Sequence, residues 1–369
     1  MDIVGVIAEY NPLHNGHIYQ LKKIDEMFPN NLKVIIISSE FSERGELCVF
    51  NKFLRAKQAL EANADLVLIN PTYYSLNNAS TFAYSNVFYL NQAKCNIIVC
   101  GTESDSPDLF KKMFDVENSK LFKEKLEHYL KLGHSFKDSY LKSFEELDIK
   151  FKSNDLLAYF YYKAIQKINK KIKLVTIRRI NNNYKDISLN DTNIQSASAL
   201  RKTKDISKYV PHFVNNDYHK YNFRDPNKLV PLIKYSALTS HKNRENIEGL
   251  SNKLKEIIYK NDLSQIVDTL KTKRYSESKI NRFIISNLFN IEDCLPLKEN
   301  YIRVIGFNKK GQSLLNEIKN NTKIYTSLKE GINIEFDLEI LIDKTLDIVY
   351  DEKLLKQEIK GPIMNIVNP

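Results

Sequence analysis

The first hundred residues alternate two hydrophobic periods. Ile3 to Ala8 is apolar and β-prone, and Asn11-Pro12 ends it, because proline drives the residue before it out of helical geometry. His17 to Phe28 then sets Ile18, Leu21, Ile24 and Phe28 at helical spacing. Val34-Ile35-Ile36-Ile37 is a continuous β-branched run, the pattern of a strand buried on both faces. Phe53 to Ala62 reads as a second helix, Asp65 to Ile69 as a third strand and Thr81 to Leu90 as a third helix. Asn96 to Cys100 is a fourth strand, stopping at Gly101. Strands alternating with helices imply parallel crossovers, hence an α/β fold with a Rossmann-like parallel sheet.

Residues 106 to 170 read as mostly helical, ending in the helix that Ser153-Asn154-Asp155 opens. Lys173 to Ile180 is a further strand and Asn181 to Asn190 an Asn-rich loop. Beyond about residue 205 the alternation fades. Leu229 to Leu238, Leu250 to Tyr259, Leu263 to Leu270 and Ser278 to Phe289 carry the helical period. A mixed tail follows, with a strand at Ile302 to Phe307 and a helix near Leu338 to Val349. The pattern predicts a boundary around Asp205 to Phe223, with a sheet domain over 1–205 and a mostly α-helical domain over 206–369.

Composition narrows the classes. With 369 residues, 43% hydrophobic and 27% charged, the bulk of the chain is globular rather than disordered. No apolar run approaches the ~18 residues a membrane span needs. The N-terminus lacks the basic region and small-residue cleavage site of a signal peptide, so the cytoplasm is the expected compartment. The four cysteines, Cys48, Cys95, Cys100 and Cys294, form no CxxC pair and lie apart from the histidines, against both a zinc site and a disulfide framework. The 55 Lys+Arg exceed the 45 Asp+Glu by ten, which favours an anionic partner, with nucleic acid or anionic lipid as the first candidates. Part of that excess reflects a chain rich in Lys, Asn and Ile throughout.

The densest chemistry is Glu9-Tyr10-Asn11-Pro12-Leu13-His14-Asn15-Gly16-His17, directly after the first strand. Ligands of open α/β sheets bind at the carboxyl ends of strands, where loops feed helix N-termini. Such a terminus offers unpaired N–H groups and partial positive charge to a phosphate. Each imidazole can donate to a phosphoryl oxygen, and Gly16 leaves room for a base or ribose against the backbone. Together they would stabilise charge building on an α-phosphate under attack. The plainer reading is a turn with two exposed histidines.

HxGH in this position resembles the nucleotidyltransferase superfamily, and the longer run Gly5 to His17 is similar to one branch of it, the bacterial tRNA(Met) cytidine acetate ligases. Further motifs follow in that family's order: Arg44-Gly45-Glu46, Asn63-Ala64-Asp65-Leu66-Val67, Gly101-Thr102-Glu103, Ser153-Asn154-Asp155, Thr176-Ile177-Arg178-Arg179, Ser196-Ala197-Ser198-Ala199-Leu200-Arg201, Glu248-Gly249-Leu250 and Lys271-Thr272-Lys273-Arg274-Tyr275. The resemblance implies a two-step reaction. Acetate attacks the α-phosphate of ATP, giving acetyl-adenylate and pyrophosphate. The exocyclic amine of the wobble cytidine of elongator tRNA(Met) then takes the acetyl group, releasing AMP. ATP is thus the co-substrate, with magnesium an accompaniment that no residue pattern assigns.

The resemblance makes His14 and His17 catalytic. It puts Ile7, Ala8, Glu9, Tyr10, Asn11, Pro12, Leu13, His14, Asn15, Gly16, His17, Ile18, Tyr19 and Gln20 along the ATP, joined by Gly101, Asn154, Arg178, Arg179, Ser196, Ser198 and Arg201. Gly101 would let adenine or ribose pass close to backbone; a strand-ending turn is its plain alternative. Asn154 competes with a helix-capping role. Alternation along the strand lets only one of Arg178 and Arg179 reach the nucleotide, and Arg179 aligns better. Ser196, Ser198 and Arg201 at a helix start suit the β- and γ-phosphates, or are a serine cap with a solvated arginine. Arg44, Lys271, Lys273, Arg274, Lys279 and Arg282 are the candidate tRNA contacts. In the last stretch Ile280, Phe283, Ile284 and Leu288 form an apolar stripe, so Lys279 and Arg282 should project together from the other side. Tyr275 and Phe283 either stack bases or pack.

The chain departs from the family pattern at Ser39, Glu40 and Glu43, and at Lys185. Carboxylates near the strand ends repel ATP and acetate unless they are paired. Two other readings share the motif: a small-molecule adenylyltransferase, and an RNA-binding protein with an inactive nucleotide fold. The basic helical half separates the first from the leading reading; intact His14, Gly16 and His17 oppose the second.

Overall fold

A computed structural model describes residues 1–104, 106–179, 193–239, 253, 256–272, 275–291, 297 and 299–365. The β-branched runs form five parallel strands: β1 (Ile3–Ala8), β2 (Leu32–Ser38), β3 (Leu66–Asn70), β4 (Ile97–Thr102) and β5 (Lys173–Arg178). β2 and β3 are buried along their whole length, as a strand covered by helices on both faces requires. The intervening helices, Asn15–Met27, Lys52–Glu61, Ala79–Gln92 and Ser153–Ile168, are the crossovers.

The sheet draws on both sides of residue 205. β6 (Tyr301–Asn308) pairs antiparallel with β3, Leu66 opposite Phe307, and carries β7 (Lys323–Tyr325) and β8 (Ile363–Asn365) on its far side. The order is β5-β4-β1-β2-β3-β6-β7, with β8 also on β6. The strand at Ile302 to Phe307 is therefore part of the main sheet rather than of a separate tail. The expected boundary, Asp205 to Phe223, is itself folded onto the sheet domain's helices. Helix His212–Tyr221 occupies it, and Asp217 accepts hydrogen bonds from Lys57 and Gln58 of helix Lys52–Glu61. The helices at Leu229 to Leu238, Leu263 to Leu270 and Ser278 to Phe289 form as the periodicity predicts, and helix Ile334–Tyr350 is longer than its pattern. Half of the expected helix at Leu250 to Tyr259 lies outside the described residues, and its end, Ile257–Tyr259, is a 3-10 helix; the loop at Asn181 to Asn190 with Lys185 lies outside them as well.

A buried ionic cluster binds the C-terminal helices to the sheet. Lys52 Nζ meets Asp343 at 2.8 Å and Glu358 at 2.9 Å, and Arg303 pairs with Glu358. All four side chains are almost wholly buried. Cations and carboxylates alternate there, which is what keeps buried charge tolerable.

After β3 the chain returns to β4 beside β1, so strand order reverses between β1 and β4. Open sheets hold ligands in the crevice outside the strand ends at such a point. The HxGH turn leaves β1, Gly101 lies near the end of β4, and Arg179 follows β5.

Candidate functional site

His14 and His17 lock the start of helix Asn15–Met27 by a reciprocal pair of bonds. His14, at the N-cap, accepts the Gly16 N–H on Nδ1 at 3.1 Å. The His14 N–H donates to Nδ1 of His17 at 3.1 Å. With Nδ1 an acceptor in both rings, the proton of each neutral imidazole sits on Nε2. The rings stack at 3.8 Å with planes 23° apart, and Tyr10 meets His17 edge-on at 4.9 Å.

Both imidazoles are held neutral. Burial pushes His14 down to about 4, and the Arg179 guanidinium adds to that. Burial, then the adjacent His14 ring, then Arg179 hold His17 well below its ordinary value. The pair is thus two neutral N–H donors beside a permanent cation. An anion entering the crevice gains two hydrogen bonds and one full positive charge.

Two glycines of the motifs lie close against side chains of the site. The space beside Gly16 belongs to the His14 ring, since a Cβ there would stand 2.9 Å from His14 Cε1. At Gly101 a Cβ would stand 3.2 Å from Arg179 Cγ, so the missing side chain gives Arg179 its place beside the strand end. Arg179 continues the sheet, its N–H donating to the Thr102 carbonyl at 2.8 Å. Arg178 is exposed at the end of β5. The field of Arg179, and not of Arg178, falls on the histidines.

Much of the remaining motif shapes the turn. Tyr10, Asn11, Pro12 and Leu13 are buried, while Ile7, Ala8, Ile18, Tyr19 and Gln20 are half-buried around it. Tyr10 takes a left-handed φ of 47°. Asn11 Oδ1 accepts the Val49 N–H at 2.8 Å. Asn15 Nδ2 donates to the carbonyls of Asn193 and Lys208 at 2.8 and 3.1 Å, drawing the 193–208 segment over the helix start.

On that segment Ser196 caps the short helix Ala197–Leu200 and lies 3.2 Å from Ser198 Oγ. Arg201 is not a solvated cation. Its Nη1 donates to the Asn11 carbonyl at 2.9 Å and its Nη2 meets Glu46 at 2.7 Å. Asn154 donates to Glu103 Oε1 at 2.6 Å, so its amide is engaged within the helix start. Asp155, in the same motif but not among the candidate site residues, accepts from the Glu103 and Ser104 N–H groups at 3.0 Å and fixes the turn after β4. Arg55 was missed too. It is fully buried and donates to the carbonyls of Glu9 and Ser38 at 2.8 and 3.0 Å, joining the ends of β1 and β2. Its only signal was an arginine among the Phe, Ala and Leu positions of that helix.

The extra carboxylates are paired. Glu40 is fully buried against Arg224, and its Oε1 accepts the Lys52 N–H at 3.1 Å. Although burial raises it, Arg224, Lys52 and Arg55 together hold Glu40 below its ordinary value. Glu43 meets Arg282 at 3.4 Å. Glu9 differs: its Oε1 accepts the Glu43 N–H at 2.6 Å, and burial pushes its carboxyl up to about 7.

The expected basic patch divides. Arg282 does not project beside Lys279. It is 8% exposed and lies against the 41–47 loop, bonding the Glu43 carbonyl at 3.2 Å. Gly45, at φ +75°, touches the same helix backbone, and a Cβ there would collide with the Arg282 backbone nitrogen. Phe283 is core. Arg44 is exposed at the loop tip. Lys271 is exposed, 3.5 Å from Glu277, and Lys279 lies over the Tyr275 ring at 5.1 Å. Lys273 and Arg274 lie outside the described residues. Among the described residues no three His, Cys, Asp or Glu side chains converge as a metal site, and no helix is long and apolar enough to cross a membrane.

Comparison with known proteins places these observations. A family model described as HIGH Nucleotidyl Transferase matches residues 1–360. A tRNA(Met) cytidine acetate ligase from Clostridium perfringens is 34% identical over 377 residues, covering 92% of this chain and 94% of its own. The protein of that name from Oceanobacillus iheyensis is 32% identical over 400 residues, covering 99% of this chain and all of its own. Among solved structures, Thermotoga maritima TmcAL bound with alpha-thio ATP superposes with TM-score 0.83 at 22% identity, each chain covered in full. Its apo form gives 0.86 at 23% identity.

Proposed function

The chain belongs to the HIGH nucleotidyl transferase family, in its tRNA(Met) cytidine acetate ligase branch, and on that premise we propose that it acetylates the wobble cytidine of elongator tRNA(Met) using ATP and acetate. The observation that carries the proposal is the pair of neutral imidazoles, each with its proton on Nε2, beside Arg179 in the β1/β4 crevice.

In the first step an acetate oxygen attacks the α-phosphorus of ATP and the bond to the β-phosphate oxygen breaks, releasing pyrophosphate. Negative charge builds on the non-bridging α-oxygens. Two N–H donors held in place before the reaction, beside the Arg179 guanidinium, stabilise that charge with little reorganisation. Neutrality matters, because a neutral ring keeps its Nδ1 lone pair for the backbone and so keeps its orientation. In the second step the cytidine amine attacks the acetyl carbonyl, AMP leaves, and the nitrogen loses a proton. No step here is routed through a magnesium ion.

Asn15 and the Asn11–Arg201–Glu46 bridge hold the 193–201 segment and the 41–47 loop against the HxGH turn. The RNA surface is assigned to Arg44, Lys271 and Lys279, on the side where helix Glu277–Leu288 meets that loop, with Lys273 and Arg274 joined to it as the next basic residues in the sequence.

The test incubates the protein with ATP, with and without acetate and elongator tRNA(Met), and follows AMP, pyrophosphate and the digested nucleosides by mass spectrometry. Acetate-dependent AMP together with N4-acetylcytidine is the expected result. ATP turnover indifferent to acetate, or none at all, rejects the reading.

A further inference from the structure

Helix Ile334–Tyr350 buries one side against the sheet through Phe336, Leu338, Ile342 and Leu346. Its outer side carries a second apolar series, Ile334, Leu341 and Ile348, at 46, 48 and 85% exposure. The spacing is seven residues each time. Seven residues advance a helix by two turns less about 20° and by about 10 Å, so the three side chains form one line along the solvent face. Two exposed charges flank that line on a common side, Asp337 and Lys344.

This stripe is complementary to itself in one orientation only. When two such helices pair antiparallel about a two-fold axis at Leu341, Leu341 meets its own copy and Ile334 meets Ile348. The flanking charges stay on the same side of the axis, and Asp337 then faces Lys344 of the other helix. Parallel pairing, whose two-fold axis runs along the helices, would instead carry the two copies of each charge to opposite flanks of the seam and bring no Asp337 to a Lys344. Both charges are also positioned within the chain: Asp337 Oδ1 accepts the Gly331 N–H at 2.7 Å, and Lys344 meets Glu330 at 2.5 Å. We infer that the outer face of helix Ile334–Tyr350 is an isologous interface, and that its occupant is the same helix of a second copy of this chain. The inference goes beyond the proposed reaction and does not depend on it.

One helix per partner is small against the ~1,200–2,000 Å² of a standard interface, so association is weak and concentration-dependent. Sedimentation velocity and light scattering of the full chain, up to on the order of 100 µM, should show a reversible monomer–dimer equilibrium. Leu341→Glu should raise its dissociation constant at least about tenfold, while far-UV circular dichroism and the melting temperature stay unchanged, because the residue contacts solvent. Asp337→Lys and Lys344→Asp should each weaken self-association by placing like charges across the axis. Mixing those two variants brings opposite charges together at both ends and should restore the dimer. A wild-type chain that stays monomeric throughout, a dimer indifferent to Leu341→Glu, or a mixture no better associated than either variant alone overturns the inference.

Discussion

A Cβ placed on Gly16 would stand 2.9 Å from Cε1 and 3.0 Å from Nδ1 of His14. Gly16 therefore does two things for its neighbour: its N–H holds the ring in one tautomer, and its missing side chain gives the ring its place.

Gly16→Ala should thus act as a mutation of His14. The added methyl displaces the imidazole and breaks the bond to Nδ1, misaligning one donor. Pyrophosphate release should fall about 10²–10³-fold, close to the loss in His14→Ala. The melting temperature should move by only a few degrees, because the segment lies at a helix start rather than mid-helix. Full activity in Gly16→Ala would show that the ring position is not what the glycine secures.

What the sequence disclosed follows the distance over which each interaction acts. β1 to β4 and their helices were readable because alternation and helical period are local. The pairing of β3 with β6 was not, since Leu66 and Phe307 are joined only by the fold. The same holds for charge. Glu40 and Glu43 were visible as carboxylates near the strand ends, but their partners Arg224 and Arg282 stand 184 and 239 residues away. A run of basic residues likewise could not show that Arg282 turns inward, because the 41–47 loop that receives it is also remote in sequence. The HxGH turn was legible because its chemistry is packed into four residues.

Removing one partner of the buried Glu40–Arg224 pair should destabilise the chain strongly. Glu40→Gln leaves the Arg224 guanidinium with only Glu352, and such losses run to about 3–5 kcal/mol. Urea denaturation should show it as a lower midpoint at unchanged slope. A double variant, Glu40→Gln with Arg224→Met, should recover part of the loss. The KM for ATP in Glu40→Gln should stay near wild type, because the charge is neutralised before ATP arrives; a large drop in KM would mean that Glu40 repels the nucleotide after all.

Arg282 and Lys279 should separate experimentally although three residues apart. Lys279→Ala with Lys271→Ala should weaken tRNA binding and reduce the slope of log affinity against log salt by roughly one for each phosphate no longer neutralised. Arg282→Ala should instead lower the melting temperature and leave that slope unchanged, since it frees Glu43 and the 41–47 loop without removing an exposed cation. Equal salt slopes for the lysine pair and the wild type would move the RNA surface elsewhere.

Glu9 and His14 should give stability profiles of opposite sign. His14 titrates at about 4 in the folded chain against 6.5 when free. The unfolded chain takes up that proton first, so stability is intact above pH 6.5 and falls as pH drops toward 4. Glu9 titrates at about 7 against 4.5. There the unfolded chain loses its proton first, so stability is intact below pH 4.5 and falls as pH rises toward 7. Each full shift corresponds to about 3 kcal/mol. Glu9→Gln keeps an acceptor for the Glu43 N–H but cannot ionise. Its melting temperature relative to wild type should climb between pH 4.5 and 7 and level off above. His14→Gln should gain on wild type only as pH falls from 6.5 to 4. Thermal melts of the three proteins from pH 4 to 8 decide it. A flat Glu9→Gln difference across that range would mean that the Glu9 carboxylate is already solvated or paired in the folded chain.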